Sequence, residues 1–248
     1  MRYCLISSNS LSRSARNDSV NIFDKESTSA MRLYLDTADQ TAWAEWMPSG
    51  VFYGITTNPL LAARAGLTYN QIKWKEMVQI AADIGALEFH AQVIGTETDA
   101  LRLAENLYAY GASSNIDCVV KIPLNTWGIS LTPKIQALGG RTLMTACYDA
   151  KQMMTANALG ADYIAPYFGR MAEAGLDAMA HMRAIHAMSW NGPCRPLIAS
   201  LRSAQQMVEI AEIGHDCFTI APAIAQDLFH NELTEAAAQE FERAAKGE

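Results

Sequence analysis

Residues 33–40, LYLDTADQ, decide between the two folds open to this chain. Leu33, Tyr34 and Leu35 suit a buried strand, Asp36 and Thr37 end it, and a helical stretch follows. A doubly wound open sheet ordinarily carries a glycine-rich phosphate loop after its first strand. No glycine stands here. A closed barrel asks for no such loop and places polar residues at its strand ends.

Seven further strand-like runs follow: FYGITTNP (52–59), LEFHAQVIG (87–95), DCVVKIP (117–123), RTLMTACY (141–148), DYIAPYF (162–168), RPLIAS (195–200) and CFTIAPA (217–223). Between them lie stretches with helical spacing, including 69–85, 98–111, 150–161, 176–188 and 203–214. Strands alternating with helices imply parallel pairing, because parallel neighbours need a crossover. Eight such units across residues 31–248, without a compositional break, predict one α/β domain, a (β/α)8 TIM barrel. Residues 223–248 read as one or two helices forming a C-terminal extension.

Residues 1–30 differ. They are rich in Ser, Asn and Arg with weak apolar periodicity, and predict a disordered N-terminal extension or an upstream start codon. The run YCLI is too short for a signal peptide, and no stretch approaches the length of a membrane span. The 248 residues carry a net charge of -7, which argues against a nucleic-acid partner. A pair of arginines can still hold a small phosphate in an acidic protein. Five cysteines without a CxxC predict a reducing, cytoplasmic setting. Histidines 90, 181, 186, 215 and 230 share no metal-ligand spacing, so no metal is expected.

Polar residues near the C-terminal strand ends of such a barrel face the active site. Here they are Asp36, the run Thr56-Thr57-Asn58, Gln92, Lys121, Thr145, Tyr167 with Arg170, and Ser200 with Arg202. One lysine among apolar neighbours, with a carboxylate and a phenol, suits carbonyl chemistry through a Schiff base. Only an uncharged amine attacks a ketone, and half-neutralising a lysine at pH 7 takes on the order of 4.6 kcal/mol. Desolvation inside a barrel can supply that. Each residue also has a plainer reading. Lys121 could reach solvent, Asp36 taken alone reads first as a helix cap with Thr37 competing, Tyr167 could fill the barrel, and both arginines could make surface ion pairs. Their coincidence at strand ends favours chemistry.

LYLDTA, GITTNP (54–59), VVKIP (119–123), YIAPYFGR (163–170) and IASLR (198–202) resemble the small transaldolase family, and within it the fructose-6-phosphate aldolases. The resemblance implies a TIM barrel, a class I mechanism and no cofactor. It assigns Lys121 to imine formation, Asp36 to proton transfer, and Gln92, Thr145 and Tyr167 to a catalytic water. It assigns Asn58, with Thr57 beside it, to a donor hydroxyl, and Arg170, Ser200 and Arg202 to a phosphate. It also implies a homo-oligomer, a pentamer or decamer joined through C-terminal helices. Transaldolases usually carry Phe at Tyr167, and the classical ones carry Glu at Gln92. The expected reaction is therefore reversible cleavage of fructose 6-phosphate, or a related ketose phosphate, to dihydroxyacetone and glyceraldehyde 3-phosphate. Transfer of a dihydroxyacetone unit between sugar phosphates is the alternative. Three departures, Trp127, the loop after Arg170 and the eighth-strand ending APAIAQ, leave substrate preference open, and Trp127 is expected to narrow the pocket.

Overall fold

A computed structural model of the chain describes residues 31–190 and 192–247. The extension expected over residues 1–30 lies outside the described residues. Eight parallel strands form one sheet: β1 (Arg32–Asp36), β2 (Phe52–Thr56), β3 (Glu88–Gln92), β4 (Asp117–Pro123), β5 (Arg141–Cys147), β6 (Tyr163–Pro166), β7 (Arg195–Pro196) and β8 (Cys217–Ile220). Neighbours pair in chain order, and β8 returns to pair with β1. The seam between β7 and β8 closes through Ile198, whose amide donates to Cys217 and whose carbonyl accepts from Thr219, both at 2.9 Å. The result is a nearly closed TIM barrel, as the LYLDTADQ stretch predicts. β7 is short, yet its ladder to β6 runs on past Pro196, the Leu197 and Ala199 amides donating to Ile164 and Pro166 at 2.8 and 2.9 Å.

Helices α1 (Gln40–Trp46), α2 (Pro59–Arg64), α3 (Trp74–Asp83), α4 (Glu97–Ser114), α5 (Thr126–Gln136) and α6 (Lys151–Ala158) fill the connections up to β6. Then come α7 (Phe168–Glu173), α8 (Ala178–Ser189), α9 (Ala204–Glu212), α10 (Pro222–Phe229) and α11 (Glu232–Lys246). The last two are the expected C-terminal extension. Caps explain several starts: Asp39 accepts from the amide of Thr41, and Thr96 with Asp99 forms a capping box on α4. Asp39, one turn beyond the strand, therefore takes the capping role that Asp36 could have held. α11 buries no side chain and leaves Leu233 and Phe241 at the surface. Among the described residues no helix is long and apolar enough to cross a membrane.

Both faces of the strands are buried, which accounts for their near-continuous apolar character. Leu35, Ile55, Phe89, Val120, Ile122 and Ile164 point outward into the main core under the helices. Tyr34, Val119, Leu143, Tyr163, Leu197 and Cys217 fill the barrel itself. Cys118, Cys147, Cys194 and Cys217 are free, buried thiols. Gly128 lets α5 press onto β4, since a Cβ there would lie 1.8 Å from the Pro123 carbonyl oxygen.

β5 breaks the alternation once. Leu143 lies inside, Met144 outside, and strict alternation would turn Cys147 inward with Thr145. The register instead shifts between Met144 and Cys147, and Ala146 adopts a left-handed φ of 61°. This extra residue acts as a bulge that leaves Thr145 facing the barrel and returns Cys147 to the outer core.

A charged network fills the barrel floor. Glu88 is fully buried and accepts from Tyr34 Oη at 2.8 Å, His90 Nε2 at 2.9 Å and Tyr163 Oη at 3.0 Å. Arg141 donates to the same carboxylate, and Arg32 stands 3.6 Å from it. Burial alone would raise the Glu88 pKa, but the His90 hydrogen bond, the nearby positive charge and the Tyr34 hydroxyl together hold it below the usual carboxylate range. Burial lowers the pKa of His90, which is therefore a neutral ring donating through Nε2. The sequence marked His90 as a strand residue without foreseeing its partner.

Candidate active site

The C-terminal ends of the strands enclose a cavity of about 390 Å3. Its wall includes Asp36, Asn58, Lys121, Tyr167, Arg170, Ser200 and Arg202, seven of the ten residues expected at the site. Leu143, Ala165, Leu197 and Ala199 supply an apolar lining.

Lys121 projects inward from β4 and is 4 % exposed. Burial lowers its pKa, and the nearby Asp36 carboxylate raises it part of the way back. Asp36 ends β1 and accepts a hydrogen bond from Thr56 Oγ1 at 2.6 Å. That hydroxyl has spent its proton, so the Thr219 hydroxyl, 2.5 Å away, donates to Thr56. The chain Thr219–Thr56–Asp36 fixes the carboxylate from behind. Thr219 was legible only as the one polar residue in an otherwise apolar eighth strand.

Asn58 caps α2, its Oδ1 accepting from the amides of Leu60 and Leu61, both at 3.0 Å. The cap commits the carbonyl end, so the carboxamide NH2 is the end left to meet a ligand. Thr57 differs from expectation: it is fully buried, outside the cavity wall, and its amide donates to the His90 carbonyl. Adjacent residues of an extended chain point to opposite faces, and Thr56 has taken the inner one.

Thr145 and Tyr167 hydroxyls are 2.9 Å apart. Burial raises the Tyr167 pKa, the Thr145 hydrogen bond opposes this, and burial wins. The phenol is therefore protonated at neutral pH. Gln92 sits beside Lys121 in the β3–β4 register, with its backbone clasped by Tyr69, whose Oη accepts from the Gln92 amide at 2.9 Å. Neither Gln92 nor Thr145 forms part of the cavity wall.

On the far side, Arg170 lies over the Tyr167 ring at 5.2 Å and donates to Tyr148 Oη at 3.3 Å. Ser200 has a left-handed φ of 62°, and its carbonyl accepts from the Gly169 amide at 3.0 Å. Gly169 is required there, since a Cβ would stand 2.1 Å from that oxygen. Arg202 Nε and Nη2 donate to Glu173 at 2.7 and 3.2 Å. Arg64, at the end of α2, also lines the cavity and gave no signal beyond that of a surface arginine. Trp127 does not narrow the mouth: it packs against the outer core. Among the described residues no three His, Cys, Asp or Glu side chains converge as a metal site requires.

Fold and cavity together define a TIM-barrel protein whose mouth is built around one buried amine, with a carboxylate beside it and guanidinium groups on the wall. The family model described as transaldolase/fructose-6-phosphate aldolase matches residues 33–247, and the chain belongs to that family. A probable transaldolase of Phenylobacterium zucineum is 35% identical over 217 residues, covering 85% of this chain and 94% of its own. One from Caulobacter vibrioides is 32% identical over 216 residues, with the same coverage. Among solved structures, a mandelate oxidase variant with a monooxide FMN adduct superposes with a TM-score of 0.55. At 12% identity, over 77% of this chain and 64% of that one, the likeness concerns the barrel alone.

Proposed function

We propose that the chain is a Schiff-base transaldolase, moving a dihydroxyacetone unit between sugar phosphates through Lys121. The observation that carries this is a buried lysine of lowered pKa at the base of the cavity beside Asp36. The neutral amine adds to the ketone, and water leaves as the imine forms. Asp36 carries protons between the amine and the leaving oxygen. The bond between C3 and C4 then breaks, its electron pair passing into the imine to give an enamine, while the C4 hydroxyl proton passes to Asp36. The aldehyde phosphate leaves, the enamine carbon adds to the carbonyl of a second one, whose oxygen takes that proton back, and water hydrolyses the restored imine to free the product and the Lys121 amine. Asn58 is suited to donate to a hydroxyl of the held unit, and Arg170, Ser200 and Arg202 to grip the phosphate.

The sequence expectation put cleavage first, whereas the relatives' names support transfer. Cleavage remains a second reading because of one group. The protonated Tyr167 phenol, paired with Thr145, is suited to protonate the enamine and release free dihydroxyacetone. Tyr167→Phe is expected to lower dihydroxyacetone release from fructose 6-phosphate alone by about a hundredfold, the scale of general acid catalysis, while sparing transfer to an added aldehyde phosphate. An equal fall in both rates would remove Tyr167 from that step.

Borohydride reduction in the presence of fructose 6-phosphate tests the common intermediate. Mass analysis should find the reduced adduct on the peptide carrying Lys121. An unmodified Lys121 peptide after turnover conditions would end the Schiff-base reading.

A further inference from the structure

Arg202 has no nitrogen left over. Nε and Nη2 form a fork onto the two oxygens of Glu173 at 2.7 and 3.2 Å. Nη1 donates to the Ser200 carbonyl at 2.8 Å, with Ser200 Oγ and the Leu201 carbonyl each at 3.2 Å. The fork is the edge that recognises phosphate through two parallel hydrogen bonds, and a carboxylate presents the same spacing. Glu173 ends α7, three residues after Arg170, so its charge also stands on the side of the helix that carries the second arginine. Both members of the Glu173–Arg202 pair are well exposed, so the carboxylate can swing away into water. Glu173 is not part of the cavity wall, but its partner Arg202 is.

We propose that Glu173 is a specificity residue: its carboxylate competes with a substrate phosphate for Arg202 and shifts acceptor preference toward uncharged aldehydes. A phosphorylated aldehyde must displace Glu173 from the guanidinium before gaining its second arginine. An unphosphorylated aldehyde meets no such competition. The proposal deepens the reading of this cavity as a sugar-phosphate site, and its consequence for acceptors rests on that reading.

The test has one arm that needs no catalysis. Calorimetry with glycerol 3-phosphate, an inert phosphate ester, should show Glu173→Gln binding about two- to fivefold tighter than wild type, the range that exposed ion pairs span. The difference should shrink as salt rises. In an Arg202→Gln background the same change should give no gain. In the second arm, fructose 6-phosphate is the donor and erythrose 4-phosphate or unphosphorylated erythrose is the acceptor. The ratio of their kcat/KM values should move toward the phosphorylated aldehyde by the same factor in Glu173→Gln. Unchanged or weaker glycerol 3-phosphate binding by Glu173→Gln would overturn the proposal, as would a gain that persists without Arg202. A missing Lys121 adduct would instead end the aldol reading and leave the binding result standing.

Discussion

Lys121→Met is expected to lower kcat for either aldol reaction by on the order of 10^4-fold or more, the scale seen when a covalent nucleophile is removed. Methionine keeps the length and most of the volume, so the cavity wall persists and substrate affinity should change little. Stability separates lost chemistry from lost folding. Burial weakens proton binding by the Lys121 amine in the folded chain, so the unfolded chain holds that proton more firmly. Wild type is therefore penalised at pH values below the ordinary lysine range, and the penalty fades as pH rises into it. The variant has no amine to discharge. Its thermal midpoint should equal or exceed that of wild type at pH 7, with the gap closing toward pH 10. A variant that melts well below wild type, or one that keeps a tenth of its activity, would contradict the role given to this nitrogen.

Glu88→Gln is expected to destabilise the barrel by about 3 to 5 kcal/mol, the range for breaking a buried ion pair from one side. For a chain of this size that lowers the midpoint by roughly 10 °C or more. Tyr34, Tyr163 and His90 would each keep a donor but lose a charged acceptor in a place water does not reach. Arg32 and Arg141 have side chains 19 % and 35 % exposed, so they can turn partly to solvent, which holds the loss near the lower figure. The pH profile gives a second signature. A carboxylate whose folded pKa is depressed stabilises the fold above the ordinary carboxylate range and loses that contribution as pH falls through and below it. Thermal scans of wild type should show this acid limb, and scans of Glu88→Gln should show a flatter one. Turnover of the folded variant should stay close to wild type, since the floor lies at the other end of the barrel from the mouth.

The fold was legible because its signal is repeated. Strand and helix alternate eight times, and one ambiguous run such as RPLIAS cannot spoil the count. Asp36, Lys121 and Tyr167 were legible because each is a polar residue ending an apolar strand. The rest required closure of the ring. Glu88 in LEFHAQ reads as an ordinary strand residue until β5 brings Arg141, 53 positions away, against it. Thr57 was misplaced because sequence does not say which of two adjacent threonines turns inward. Trp127 was misjudged because the first turn of α5 faces the helical layer rather than the mouth. Glu173 was hidden in the segment after Arg170, marked in the sequence only as a departure from the family pattern, and its partner sits on a different strand connection.

Ala146, one residue past Thr145 on β5, and Ser200, in the cavity wall, hold left-handed backbone without glycine. That conformation excludes β-branched side chains more strongly than any contact with a bound sugar would. Libraries built to retune this enzyme would therefore keep Gly, Asn or Asp at these two seats and discard Val, Ile and Thr, whatever the target molecule. Leu60, exposed and on ordinary torsion angles in the same wall, is where variation can be explored freely. Evolvability here is rationed by backbone torsion before chemistry has a say.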